Sequence, residues 1–261
     1  MSDSTGNAFS HLVGVLARLR GPGGCPWDQE QTHDSLKRSL LEESYEVLEA
    51  IDNNVPARLT EELGDVLLQV LFHAQIAAEV GDFSVDDVVE SLRDKLVRRH
   101  PHVFGDATVK NAREVEANWE RLKQQEREDE MDLSALGNIP ASTPALAYGQ
   151  LIQDRASRAG FDFDGIGGVL DKVVEENREM EEASSQEERA GEFGDLLFTL
   201  VNVGRWMGIH AEDALRQANR RFQGRYLQME ELADQRGQDF NGLPLVDKET
   251  LWQEVKGLED G

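Results

Sequence analysis

The sequence predicts an all-α protein built as a tandem repeat of two similar helical-bundle domains, and three observations carry that reading. Ala, Leu, Glu, Gln and Arg dominate, with Gly and Pro gathered at breaks, a helix-forming composition. Apolar residues recur at three- and four-residue steps, the period of one helix face, and strand-like alternation is hard to find. Short acidic segments recur in the same order in each half. Leu41-Glu-Glu-Ser-Tyr-Glu46 resembles Val174-Glu-Glu-Asn-Arg-Glu179, and Glu62-Leu-Gly-Asp-Val-Leu-Leu68 resembles Glu192-Phe-Gly-Asp-Leu-Leu-Phe198, at offsets of 133 and 130 residues. Lys95 and Arg99 fall where Arg221 and Arg225 fall, so three matched elements point to duplication of one helical module.

Taken in order, a first helix is predicted from about Ala8 to Arg20, stopped by the Gly21 to Gly24 run. A second covers Thr32 to Asp52 and ends at Asn53-Asn-Val-Pro56; a third covers Thr60 to Val80 and stops at Gly81. The fourth starts with Ser84 as N-cap and Asp87 three residues on, the pattern of a capping box, and ends before Pro101. A charged stretch, Lys110 to Glu130, leads into Leu133 to Pro144, which has two prolines and few charges. The boundary is placed there, giving domains at 1–108 and 146–261 joined by a connecting helix and linker at 109–145. Further helices are predicted near Ile166 to Ser184, Glu187 to Met207, Ala211 to Gln235 and Asp247 to Lys256.

The bulk numbers restrict function. A chain of 261 residues buries a hydrophobic core without staples, and the single cysteine, Cys25, excludes an internal disulfide framework or a multi-cysteine zinc site. With no basic, apolar leader and no apolar run approaching the roughly 18 residues that span a bilayer, a cytoplasmic protein without a membrane partner is expected. Against 27 basic residues stand 51 acidic ones, a net charge of -24 that repels nucleic acid, so no nucleic-acid partner is expected. A nucleotide is a different case, because divalent cations held by carboxylates bridge an acidic protein to a polyphosphate.

Glu43 occupies the apolar stripe made by Leu36, Leu40, Val47 and Ile51, and Glu176 fills the same gap among Val169, Val173 and Met180. A carboxylate on a core stripe is costly unless paired, and a divalent cation is an efficient partner. Glu46 and Glu179 lie three residues on, sharing the face; the next helix adds Glu62 with Asp65, or Glu192 with Asp195, again three apart. Two antiparallel helices joined by a short turn therefore gather four carboxylates, a donor set suited to Mg²⁺ or Mn²⁺ rather than zinc. The pairs Lys95 with Arg99 and Arg221 with Arg225 are i,i+4 and share one face of the following helix, where phosphate oxygens need partners. Trp252 and Lys256 repeat the four-residue spacing; the tryptophan suits either base stacking or packing. Cys25 and His33, and the His100-Pro-His102 run, read as structural turns and helix ends rather than as catalytic or metal sites.

The pattern Glu-Glu-x-x-Glu followed by Glu-x-x-Asp resembles the signature of the all-α NTP pyrophosphohydrolases. The runs Gly24-Cys-Pro-Trp-Asp28 with Gln31-Thr-His33, Arg98-Arg-His-Pro-His-Val-Phe104 and Trp119-Glu-Arg-Leu-Lys123 are similar to two-domain bacterial MazG proteins, from about Phe9 to Lys256. The resemblance implies tandem MazG-like domains, a homodimer, and Mg²⁺-dependent hydrolysis of nucleoside triphosphates and their deoxy forms to monophosphate and pyrophosphate. Carried over by position, the metal ligands are Glu43, Glu46, Glu62 and Asp65 in one half and Glu176, Glu179, Glu192 and Asp195 in the other. Lys123, Asn219, Arg221, Arg225, Trp252 and Lys256 match the family's nucleotide contacts. The first half has Arg93 where the second has Asn219 and lacks counterparts of Trp252 and Lys256, so the second half is favoured as catalytic. Glu176 and Glu179 are the candidate catalytic carboxylates, one of them as general base. Two other classes compete: a non-catalytic nucleotide-binding regulator using the same metal site, and a diphosphohydrolase restricted to one nucleotide such as dUTP.

Overall fold

A computed structural model describes residues 2–111, 114–115, 118–119 and 136–259. The described residues form helices and turns, without a strand. The chain divides into two compact units, 1–123 and 124–261.

In unit 1, α1 (Ser2–Arg20), a short α2 (Pro26–Glu30), α3 (Lys37–Asp52), α4 (Pro56–Val80), α5 (Val85–Arg99) and α6 (Pro101–Phe104) follow one another. The α3–α4 hairpin is the main packing pair, with α1 and α5 laid against α4. Leu16, Leu36, Leu71 and Phe72 form its core, with Phe9, Val13, Leu67 and Ile76 packed around them. Full burial of each such side chain contributes about 1.5–3 kcal/mol. α3 starts five residues later than expected because Thr32 and Ser35 exchange side-chain and backbone hydrogen bonds at 3.0 and 3.1 Å, a turn that competes with helix. α4 starts four residues earlier, at Pro56, whose fixed φ suits the first helical position. Ser84 caps α5 through the expected box: its hydroxyl accepts from Asp87 N–H, and Ser84 N–H donates to the Asp87 carboxylate at 2.7 Å.

One expectation needs correction. By length and composition alone, the 25-residue α4 is apolar enough to cross a membrane, so a run of that kind does exist. It buries Glu62 and Gln69 alongside Leu71, Phe72, Ala74 and Ala77, while Leu63, Val70 and Val80 are exposed, so that 28% of its apolar window is buried.

Unit 2 contains α7 (Ala145–Arg158), α8 (Ile166–Glu182), α9 (Gln186–Trp206), α10 (Ala211–Gln235), a 3₁₀ turn (Phe240–Gly242) and α11 (Leu245–Glu259). α8 and α9 form a hairpin, α7 packs on α9, and α10 pairs with α11. The α10–α11 pair has its own core of Met229, Ala233, Phe240, Leu251 and Val255. α7 and α2 are helices that the periodicity does not reveal. On α7 the buried positions are Gly149, Gln150 and Gln153, so no apolar stripe marks it. The polar side chains are satisfied in part by backbone: Gln150 Nε2 donates to Ile209 O at 3.1 Å while its Oε1 accepts from Ala211 N–H at 2.9 Å.

Candidate functional site

Each hairpin gathers carboxylates from both of its helices. In unit 1, Glu43 of α3 and Glu62 and Asp65 of α4 each bring one oxygen within 4.8 Å of the others. In unit 2 the set is Glu176 and Glu179 of α8 with Glu192 of α9, at the same separation. Three of the four expected ligands thus converge in each half, and the fourth, Glu46 or Asp195, is the exposed member. They remain electrostatically present. Burial, then Asp65, Glu46 and Glu62, push the Glu43 carboxyl above its usual range. Burial, then Glu179, Asp195 and Glu176, do the same to Glu192.

The two sites are not copies at atomic detail. Unit 1 buries its α4 carboxylate, Glu62, at 5% exposure, whereas unit 2 buries its α8 carboxylate, Glu176, at 4%. Each buried acid has a cation one turn before it: Arg58 lies 3.2 Å from Glu62, and Lys172 lies 2.7 Å from Glu176. Hydrogen bonds to Glu176 and Glu175 hold the Lys172 ammonium well above its ordinary value. Neither cation was singled out from the sequence, although the i,i+4 spacing carries the signal.

One cation against four carboxylates leaves each cluster strongly negative, and this repulsion adds to burial in raising the Glu43 and Glu192 carboxyls. Oxygen donors alone, converging within a few ångströms and partly desolvated, fit a hard divalent cation, and no nitrogen or sulfur donor competes in either set.

The expected phosphate and base contacts lie on other elements. Asn219, Arg221 and Arg225 are on α10, and Trp252 and Lys256 on α11. The structure brings part of this set together: the Arg225 guanidinium stands 5.6 Å from the Trp252 ring centroid, and Phe222 is 5.3 Å from the same ring. Trp252 also packs on the α10–α11 core, so its packing role is visible. Lys123 lies outside the described residues. In unit 1, Lys95 and Arg99 are on α5, and Arg93 is engaged by Asp94 at 2.8 Å.

Cys25 precedes α2 in a tight turn, its N–H donating to Leu19 O at 2.8 Å, which agrees with a structural role. His100 closes α5 through Leu96 O at 2.6 Å and rests against Trp119. One pairing was missed: His33 stacks on His73, with their Nδ1 atoms 2.7 Å apart. Forty residues separate the two, and no local spacing announces the contact.

Comparison with known proteins places these features in context. Residues 31–104, which include the unit 1 carboxylates, match the MazG nucleotide pyrophosphohydrolase domain. Over 255 residues the chain is 45% identical to the nucleoside triphosphate pyrophosphohydrolase/pyrophosphatase MazG of Thermotoga maritima, covering 98% of each chain. It is 45% identical over 259 residues to the nucleoside triphosphate pyrophosphohydrolase of Escherichia coli, covering 97% of this chain and 98% of that one. An uncharacterised Bacillus subtilis protein, YabN, is 44% identical over 255 residues, which make up 52% of its length.

Proposed function

The chain belongs to the MazG nucleotide pyrophosphohydrolase family, and from that premise we propose how its residues perform the reaction. It is a nucleoside triphosphate pyrophosphohydrolase: an NTP or dNTP and water yield the monophosphate and pyrophosphate. The observation that carries the site is the convergence of Glu176, Glu179 and Glu192, with one acid buried on the core stripe.

Those three, with Asp195, would hold Mg²⁺, or Mn²⁺ in its place; Glu43, Glu46, Glu62 and Asp65 form the equivalent set. Such a cation, when bound, neutralises triphosphate charge and acidifies water. The protein's own part is positioning and proton transfer. Glu176 or Glu179 accepts the proton of the water that attacks the α-phosphorus, and the bond to the pyrophosphate oxygen breaks. Lys172, 2.7 Å from Glu176, holds that carboxylate in its orientation. Arg221, Arg225, Lys256 and Lys123 supply cations for phosphate oxygens, and Asn219 a neutral donor. Apart from Lys123, which belongs to the connecting segment, this set belongs to the second half, which is why the α8–α9 centre is favoured as the catalytic one. The family match over 31–104 keeps the α3–α4 centre as the rival.

Dimerisation is part of the same proposal. Leu170, Val174, Phe193, Leu197 and Leu200 leave an apolar face exposed on the α8–α9 hairpin, Val174 at 71%. A contiguous surface of that kind seeks a partner.

Product analysis with each NTP and dNTP, in Mg²⁺ or EDTA, tests the reading. Monophosphate and pyrophosphate are expected only with metal, and Glu176→Gln should cost at least about a hundredfold in rate. Loss in Glu43→Gln instead transfers the chemistry to unit 1. Mn²⁺ binding by paramagnetic resonance gives a readout independent of turnover: a stoichiometry reduced by Glu176→Gln supports the ligand set. Nucleotide binding without turnover would support the regulator, and turnover of one nucleotide alone the restricted diphosphohydrolase.

A further inference from the structure

Outside both carboxylate clusters, unit 1 brings two histidines together. His33 stands in the turn before α3 and His73 on α4, and their Nδ1 atoms face one another at 2.7 Å from parallel rings. In the neutral pair one Nδ1–H donates to the other Nδ1, so one nitrogen already offers its lone pair toward its neighbour. Burial and then His33 lower the His73 pKa, with no carboxylate opposing them, which keeps that ring in the neutral form a metal requires.

Both rings are held from outside the pair. Gln31 O accepts from Arg20 at 3.1 Å, the Gln31 amide donates to Trp27 O at 2.9 Å, and Thr32 and Ser35 bond one another across His33. His73 is carried by α4 between the core residues Phe72 and Ala74. One turn before it stands Gln69, 5% exposed, whose Oε1 is buried with no hydrogen-bond partner among the described residues. Residues i and i+4 share a helix face, so this acceptor lies on the side of α4 that carries His73. Unit 2 has Ile166 and Val203 at the matching offsets of 133 and 130 residues, so the histidine pair belongs to unit 1 alone.

We infer that His33 and His73 form a binding site for a transition-metal ion of the Zn²⁺, Ni²⁺ or Cu²⁺ class, separate from the carboxylate centres. Imidazole nitrogen suits these ions, whereas carboxylate oxygen suits Mg²⁺, so the two kinds of site sort their metals by donor. Two bonds of about 2.0 Å meeting near the tetrahedral angle place their nitrogens about 3.3 Å apart, so the ion replaces the shared proton after an opening of about 0.6 Å. His33 is exposed and supplies that movement, and water fills the remaining positions. Both Nδ1 lone pairs are needed, so the donor ring moves its proton from Nδ1 to Nε2 through solvent and the pair releases none. The bound ion staples the turn before α3 to α4, which revises the purely structural reading of His33. This site neither uses nor requires the carboxylate clusters.

Nitrogen ligands distinguish the pair from the oxygen-only clusters. One equivalent of Cu²⁺ is added to the full chain in excess Mg²⁺ and its ligands are read by electron paramagnetic resonance, while calorimetry gives the Zn²⁺ affinity under the same conditions. Wild type should show splitting from two imidazole nitrogens. His33→Phe and His73→Phe should each lose that two-nitrogen pattern and weaken Zn²⁺ binding at least about tenfold, the least that even a lost outer partner of a metal ligand costs. His33→Gln, a polar change at an exposed turn residue that leaves the fold intact, should do the same. His102→Phe, which removes a ring from the other histidine pair, should leave the spectrum unchanged. An oxygen-only spectrum in wild type, a two-nitrogen pattern that survives any of the three substitutions at His33 and His73, or one lost in His102→Phe overturns the inference.

Discussion

Arg20 shows how much one side chain can hold. At 5% side-chain exposure it donates to Asp28 O, to Gln31 O at 3.1 Å and to both carboxylate oxygens of Glu79 at 2.9 and 2.8 Å, pinning the 21–31 segment to α4. Arg20→Ala removes these together and should destabilise the protein by about 2–3 kcal/mol, read from denaturant unfolding. Gly24 in the same segment has no room for a Cβ, which would lie 2.1 Å from Leu19 O. The His33–His73 pair gives a pH dependence. Burial first, and then His33, lower the His73 pKa from its ordinary 6.5, so the folded state holds fewer protons than the unfolded chain. The stability this gives is complete above pH 6.5 and is lost as pH falls through the folded value. Melting curves between neutral and mildly acidic pH should show a steeper acid loss in wild type than in His73→Leu. The carboxylate clusters give the opposite kind of test. In EDTA, Glu43→Gln or Glu192→Gln relieves repulsion and should raise Tm, while the rise on adding Mg²⁺ should shrink in each; an unchanged Mg²⁺ response would count against a cation at that cluster.

At the scale of elements, termini decide more than interiors. Ser84 and Ser185 begin α5 and α9 with full capping boxes, and replacing either by Ala should cost about 1 kcal/mol in thermal or denaturant unfolding. The first of these was legible because Ser and Asp stand three apart ahead of an apolar run. α3, α4, α8, α9 and α10 were legible for the same reason: their apolar residues repeat at helical steps. α7 was not, because its buried face carries glutamines whose partners, Phe198 O, Ile209 O and Ala211 N–H, come from elements 45 to 61 residues away. The Gly149 Cβ position, 3.4 Å from Phe198, shows how closely α9 approaches it.

For the whole molecule, the open question is what covers the apolar hairpin faces. A single chain leaves Val174 and Phe193 in solvent beside the carboxylates. Sedimentation velocity should find twice the chain mass, and Val174→Lys should shift the protein toward the monomer; a wild-type monomer at micromolar concentration would refute the dimer.

The sequence by itself determined the helical class, the family and the six carboxylates that converge in the two hairpins, since each depends on local spacing or on residue identity. Tertiary structure decided which carboxylate of each set is buried, that Arg58 and Lys172 stand beside those acids, and that His33 meets His73. It also decided that Asn202 lines a cavity while Phe72, at the matching position, is buried in the core. These facts depend on which helix faces meet, and helix packing is fixed by the fit of side chains distant in sequence, which no local pattern records.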